Sequence, residues 1–236
     1  MLRFLPVPEK FIVLPEPRPP LNQALEEQVE GIWQTERDLR GSTLFDGPIF
    51  SVEKVSPETI SGRFVGYRFF IAQERQPELF RVLRVQPLAV TGVLQNADGI
   101  FFGYRGSAVA VQPDCWELLP SGGIDHSTVM QDGRLCPAEQ VLVELREEVG
   151  IADAAVAQPS LICFTEDPLH HIFELIWELK TPLDEKTVLS AHSALRHPEH
   201  SKIRHVRWAD LEHFLGHGPD AILPASRELL GHLLGF

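Results

Sequence analysis

Glu144-Leu145-Arg146-Glu147-Glu148-Val149-Gly150-Ile151, reached from Gly122-Gly123 through a loop, is the stretch on which the reading of this chain turns. At about 100° per residue, Ala138, Val141, Leu142, Leu145 and Val149 fall into one apolar helical stripe. Glu144, Glu147 and Glu148 gather on the adjacent face at i, i+3 and i+4. Stacked like charges cost an isolated helix ~0.2–0.5 kcal/mol, and the positions one turn away offer Gln140, Val143, Ile151 and Ala152 instead of a cation. A missing cation is implied, and a hard divalent ion with oxygen ligands would supply it. Without context, the same glutamates make an acidic, solvated face. The context is Trp116-Glu117-Leu118-Leu119 as a strand, Pro120-Ser121-Gly122-Gly123 as a sharp turn, and Cys136-Pro137 as a helix start. Gly150 is placed to end the helix in a left-handed conformation.

This order of strand, double glycine, loop and helix resembles the Nudix box, G-x5-E-x7-R-E-U-x-E-E-x-G-U with U an aliphatic residue. Glu144, Leu145, Glu147, Glu148, Gly150 and Ile151 match its second half position by position. The resemblance implies an α/β/α sandwich with a mixed sheet and hydrolysis of a nucleoside diphosphate linked to another group. It also implies magnesium, or manganese in its place, held by Glu144, Glu147 and Glu148 as catalytic carboxylates, with Glu148 holding or activating water. Two departures stand out: Val143 occupies the place of the box arginine, and Leu135 that of the first box glutamate. Gly123 and Glu144 are 21 positions apart, which leaves the loop about six residues longer than the family pattern.

Further runs are similar to the UDP-glucose/UDP-galactose pyrophosphatase branch of that family. They are Gly31-Ile32-Trp33, Leu44-Phe45-Asp46-Gly47-Pro48-Ile49-Phe50, Tyr67-Arg68-Phe69-Phe70 and Pro87-Leu88-Ala89-Val90. That branch also lacks the box arginine and carries an enlarged loop, so a small-molecule nucleotide sugar is the implied substrate. ADP-ribose or an ADP-sugar is the first rival, and a catalytically silent nucleotide-binding module is the second.

The family often draws a general base from a later loop, and Glu166 in Phe164-Thr165-Glu166-Asp167-Pro168 is the candidate here, against a plain turn carboxylate. Arg105 follows an aromatic strand and could grip a phosphate, or be a surface arginine. Tyr67 and Arg68 are candidates for holding the nucleotide by stacking and charge, against a core tyrosine and a surface arginine. Gly122 and Gly123 let backbone approach the substrate or simply make a turn. Ser226-Arg227 matches a small-polar/basic pair in the same branch. Glu174 and Glu178 alternate with Phe173, Leu175 and Trp177 and read as the solvated side of a strand. His192, His197, His200 and His205 fit no compact zinc spacing and read as a polar loop, and His170-His171 as decoration at a strand end.

A net charge of −12 argues against an electrostatic nucleic-acid binder, because that affinity comes largely from cations meeting phosphates. Cys115, Cys136 and Cys163 form no pair pattern and point to reduced thiols. No stretch reaches the apolar length of a membrane span, so a cytoplasmic setting is expected; the oligomeric state is open, a homodimer being compatible. With 44% hydrophobic residues the chain can bury a sizeable core. The expected division is an N-terminal α+β extension over 1–85 and the Nudix-like domain over 86–236. The extension holds a proline-rich segment (Pro6, Pro8, Pro15, Pro17, Pro19, Pro20), a helix from Leu21 to about Asp38, a β-rich run from Thr59 to Ile71 and a short helix from Gln73 to Leu83. The larger part holds strands at 88–94, 99–104, 115–119, 159–165, 171–179 and 203–208. Its expected helices are 136–149, 184–195, 209–215 and 224–234, giving a mixed sheet covered on both faces.

Overall fold

The computed structural model describes residues 1–236 except Pro15, Pro17, Ser42, Thr43, Ala108, His197, residues 218–220 and Phe236, and also leaves out the His217 side chain. The expectations that fall on Pro15, Pro17 and His197 lie outside the described residues. In chain order the strands are β1 (Arg3–Leu5), β2 (Lys10–Val13), β3 (Pro48–Val55), β4 (Thr59–Gly66), β5 (Leu88–Gln95) and β6 (Gly99–Arg105). They continue as β7 (Cys115–Leu118), β8 (Ser121–Gly123), β9 (Ser160–Asp167), β10 (Ile172–Lys180) and β11 (His200–Arg207). The α-helices are α1 (Gln23–Arg40), α2 (Tyr67–Arg75), α3 (Phe80–Leu83), α4 (Pro137–Glu144), α5 (Glu185–Ser193), α6 (Leu211–His217) and α7 (Pro224–Leu234).

The large sheet runs β1-β9-β10-β5-β6-β11, with β5 and β10 parallel and the other pairs antiparallel. Alternation along its strands assigns the two faces. Leu88, Val90, Phe101, Phe164, Leu175 and Leu179 meet Val141, Leu145 and Val149 on one side. Val93, Ile100, Phe102, Cys163 and Ile176 meet Phe214, Leu229 and Leu230 of α6 and α7 on the other. The result is a mixed α/β fold with helices on both faces, as expected from the sequence. The small sheet, β2-β4-β3, turns Phe11, Phe50, Val52 and Ile60 into the first of these cores, so the two sheets share it. Helices α1 to α3 close a further cluster around Val29, Val65, Phe70 and Leu83.

One expected strand is a helix. Tyr67–Phe70 open α2, and β4 stops at Gly66. The reason lies 22 residues before Arg68: Asp46 Oδ1 accepts from the Arg68 N–H at 2.9 Å and so caps the helix from a distant loop. The helix expected over 136–149 is also subdivided. After α4, Leu145–Val149 form a π-type turn, a local widening that often accompanies functional sites. Gly150 ends it at φ 79° in the left-handed region, as its position predicts.

A Cβ on Gly150 would stand 2.8 Å from the Ala191 carbonyl oxygen of α5 while the backbone stayed left-handed. Gly150→Ala is therefore expected to lose roughly 1–2 kcal/mol of stability, read as a lower urea midpoint with an unchanged slope. Wild-type stability in that variant would contradict the packing of this turn on α5.

Candidate active site

Strands β5 and β6 leave the turn at residues 96–98 as a hairpin but are paired with each other at Gln95 and Ile100 alone. Beyond that point they diverge. The segment 115–123 fills the gap, β7 pairing with β6 and β8 with β5. At the mouth of this split lies a cavity of about 280 Å³. Of the residues singled out in the sequence, Tyr67, Arg105, Gly122 and Gly123 line it. Arg68 and Glu166 do not. Arg68 lies within 4.0 Å of Glu26, Glu30 and Asp46. Glu166 pairs with Arg3 at 3.3 Å, and because it stands opposite Phe173 in the sheet register it takes the other face from Glu174.

The helix carboxylates separate by burial. Glu144 is half-buried and lies against Gly122 so closely that any side chain there would overlap its carboxylate. Burial, followed by the nearby charge of Glu147, pushes the Glu144 carboxyl up to about 7, although Gln140 donates to it at 2.8 Å. Glu148 is buried, and its Oε2 accepts the Ser121 N–H at 2.8 Å. Burial, with Glu199, Glu144 and Glu117 nearby, raises its carboxyl well above the usual range. Glu147 is exposed. The single acidic face expected from the helical period is thus divided between the interior and solvent.

Partial compensation for these charges comes from outside the helix. His200, fully buried on β11, bonds Glu117 at 2.8 Å through Nε2 and places Nδ1 3.6 Å from Glu148 Oε2. Gly103 on β6 makes room for that ring, since any Cβ there would overlap it. Arg105 meets the same Glu117 at 2.7 Å. Burial alone would raise the Glu117 carboxyl, but His200 and Arg105 outweigh it and hold it below the ordinary range. Glu117 is thus an ionised acceptor, so the His200 Nε2–H donates to it. His200 corrects the reading of these histidines as a polar loop: His192 and His200 are buried, and His192 Nε2 bonds the His200 carbonyl at 3.0 Å.

Arg105 is also occupied elsewhere. Its Nε and Nη2 donate to the carbonyls of Gln112 and Val111 at 3.0 and 2.8 Å. Arg75 donates to the Ala110 carbonyl at 2.7 Å and Arg40 to that of Val109 at 3.0 Å. Glu36, buried on α1, binds both Arg40 and Arg75. Three guanidinium groups thereby hold four consecutive carbonyls of the β6–β7 loop, which lends Val111 and Gln112 to the cavity wall.

The residues missed from sequence are Glu117, Glu174, His200 and the cavity-lining Gln112. Glu174 is not on a solvated strand face; it lines the cavity, where burial pushes its carboxyl up to about 7, and its Oε1 accepts from Thr91 at 3.3 Å. A charged residue inside the apolar run Trp116-Glu117-Leu118 was the available signal. Ser226 is buried, and its hydroxyl accepts the Leu118 N–H at 3.1 Å, tying α7 to β7. The three cysteines are free thiols, and no helix among the described residues is long and apolar enough to cross a membrane.

Among the described residues, no three His, Cys, Asp or Glu side chains are grouped closely enough to hold a metal ion as they lie. The donor chemistry still fits a hard cation. Glu148 Oε1 is buried without a hydrogen-bond partner among the described residues, an arrangement that is costly unless something satisfies it. Glu144 and Glu148 are both raised by burial and by like charges, a condition that a divalent ion relieves.

No protein-family model matches the chain, and no curated protein matches it. Some solved structures share part of its outline. DR0079 of Deinococcus radiodurans is 16% identical, over 62% of this chain and 82% of that one, at a TM-score of 0.45. A candidate Nudix hydrolase family member of Chromobacterium violaceum is 12% identical, over 63% and 77%, at 0.40. A bifunctional NMN adenylyltransferase/ADP ribose pyrophosphatase of Francisella tularensis, solved with AMP and a manganese ion, is 13% identical, over 70% and 46%, at 0.48.

The position of Glu174 has a pH signature. Folded, its carboxyl holds a proton up to about pH 7; unfolded, it releases it near ~4.3. Between these values the native state binds more protons, so this group's contribution to stability falls as pH rises and levels off above 7. Glu174→Gln removes that contribution. Its stability relative to wild type is expected to improve from pH 5 to pH 8 in urea denaturation; a difference independent of pH would contradict the burial of this carboxyl.

Proposed function

We propose that this protein is a metal-dependent hydrolase of the Nudix type that cleaves the diphosphate of a nucleotide sugar. The observation that carries the reading is the contact of Glu144 with Gly122. It joins the two parts of the box-like pattern, 21 positions apart between Gly123 and Glu144, at the edge of one cavity. In this reading Glu144, Glu147 and Glu148 hold magnesium or manganese, Glu147 turning in from its exposed position. When bound, the ion supplies charge neutralisation on phosphate oxygens and a more acidic water.

The remaining work falls to the chain itself. Gly122 and Gly123 carry no side chains to keep the diphosphate from the backbone of β8. Tyr67 and Phe70 furnish an apolar wall for the base. Arg105 is assigned a different task from the phosphate contact expected of it: with three bonds to Glu117, Gln112 and Val111 it shapes the wall. Arg68 supports α2 through its acidic neighbours. Glu166, paired with Arg3 on the other face of the sheet from Glu174, is given no part in the chemistry. UDP-glucose or UDP-galactose is the proposed substrate, resting on the resemblance of residues 31–90 to that branch, and ADP-ribose is the alternative. Residues 1–85 are assigned to the cavity wall through Tyr67, Phe70 and the arginines of α1 and α2.

A silent nucleotide binder is the second reading. It is favoured by one arrangement: Glu148 is held by the Ser121 N–H and lies beside His200, a network that needs no metal for its geometry. Turnover of UDP-glucose, UDP-galactose, ADP-ribose and ADP-glucose with magnesium, beside Glu148→Gln, separates the readings. Magnesium-dependent release of UMP that falls to background in a folded Glu148→Gln variant is expected. Cleavage of the ADP compounds alone would retain the chemistry and overturn the substrate. Nucleotide binding without turnover, unchanged in Glu148→Gln, would establish the silent binder.

A further inference from the structure

The tip of the β9–β10 hairpin reaches the cavity wall through Ile172 and through the contact of His170 with Gln112. Asp167 Oδ1 accepts the Leu169 N–H at 2.8 Å, and His171, at φ 58°, stacks on Phe80 of α3 with ring centroids 3.4 Å apart. Between these anchors, His170 Nδ1 bonds Glu74 Oε2 of α2 at 2.8 Å, and its Nε2 lies 3.2 Å from Gln112 Nε2. Gln112 itself lines the cavity, and its carbonyl is fixed by Arg105.

The direction of each hydrogen bond follows from the donor inventory. An ionised Glu74 can only accept, so His170 Nδ1 carries the proton. Neutral His170 then accepts at Nε2, and the Gln112 amide nitrogen donates to it. The Gln112 Oε1 is left with no donor among the described residues, on a residue that lines the cavity. At about 280 Å³ the space falls just below the ~300–1,000 Å³ usual for ligand pockets, suited to a base rather than to a whole nucleotide sugar.

We infer that Gln112 is the specificity-determining residue for the base, its carbonyl oxygen accepting a ring N–H of the kind a uracil imide presents, and that the Glu74–His170 pair is the positioning device that fixes the amide's direction. The inference rests on the nucleotide-hydrolase reading and deepens it by naming the base edge that is recognised. It does not involve the metal helix.

The device responds to protons. His170 faces Glu74 from α2, Gln112 from the β6–β7 loop, and Asp167 and His171 from its own hairpin. The hydrogen bond to Glu74 raises the imidazole above its usual range. Protonation converts Nε2 from acceptor to donor, so Gln112 must turn its oxygen to His170 and its NH2 to the cavity. A base that offers an N–H then meets a donor. Affinity for such a base falls as pH drops through the raised value, and affinity for a ring nitrogen that accepts rises.

The test is calorimetric binding of UMP and CMP at pH 6 and pH 8 to wild type, Gln112→Leu and His170→Gln, with melting curves as a check on folding. Uracil and cytosine are alike in size and differ at ring N3, a donor in one and an acceptor in the other. Wild type is expected to prefer UMP at pH 8 by roughly three- to tenfold, the range of one net hydrogen bond, and to lose much of that preference at pH 6. Gln112→Leu should bind the two alike at both pH values. His170→Gln, which keeps an acceptor and cannot titrate, should retain the preference and make it independent of pH. A UMP preference that persists in Gln112→Leu overturns the inference while leaving hydrolysis intact. Failure of wild type to bind either nucleotide overturns the inference alone, and turnover of the four diphosphate substrates decides separately whether the hydrolase reading stands.

Discussion

A single buried carboxylate, Glu117, governs this architecture. An ion in the interior is tolerated only when its partners replace the water it has lost, and Glu117 has two, His200 and Arg105. Each partner is in turn constrained by being there. His200 must come from β11 through the gap that Gly103 leaves, and its second nitrogen then faces Glu148. Arg105, aimed by the same oxygen, gives two further donors to carbonyls of the β6–β7 loop. Edge strand, carboxylate helix and cavity wall are therefore referenced to one charge at the centre of β7.

Local sequence carried the regular elements well where the forces that shape them are local. The last helix follows its apolar period and its opening Pro224 over the expected residues 224–234. The hairpin of β5 and β6 follows from Asn96 and Gly99 between two apolar runs. Gly150 closes the carboxylate helix because few other residues accept its conformation. Long-range forces were illegible. Tyr67–Phe70 has the composition of a strand, and the Asp46 cap that makes it helical comes from another loop. Arg3–Leu5 joins the large sheet because β9 offers an edge, a fact absent from the residues themselves.

The candidate site divides along the same line. Tyr67, Gly122, Gly123 and Glu144 meet at or beside the cavity. Glu174 was hidden by strand alternation, which separates two faces without telling which one is wet. His200 lay in a histidine-rich stretch whose spacing resembles surface decoration, and only the tertiary fold buries it. Arg105 lies at the cavity as expected, and three of its donors are engaged by Glu117 and by two backbone carbonyls.

The grip on the β6–β7 loop has an evolutionary consequence. Arg40, Arg75 and Arg105 hold the carbonyl oxygens of residues 109–112, groups that every amino acid possesses. Ala110 and Val111 also pack against buried clusters, but the hold on the Gln112 backbone does not depend on the side chain carried there. Exchange at that position can therefore alter what the cavity wall presents while the path of the chain is conserved, which makes it a place where a new preference can be acquired by drift.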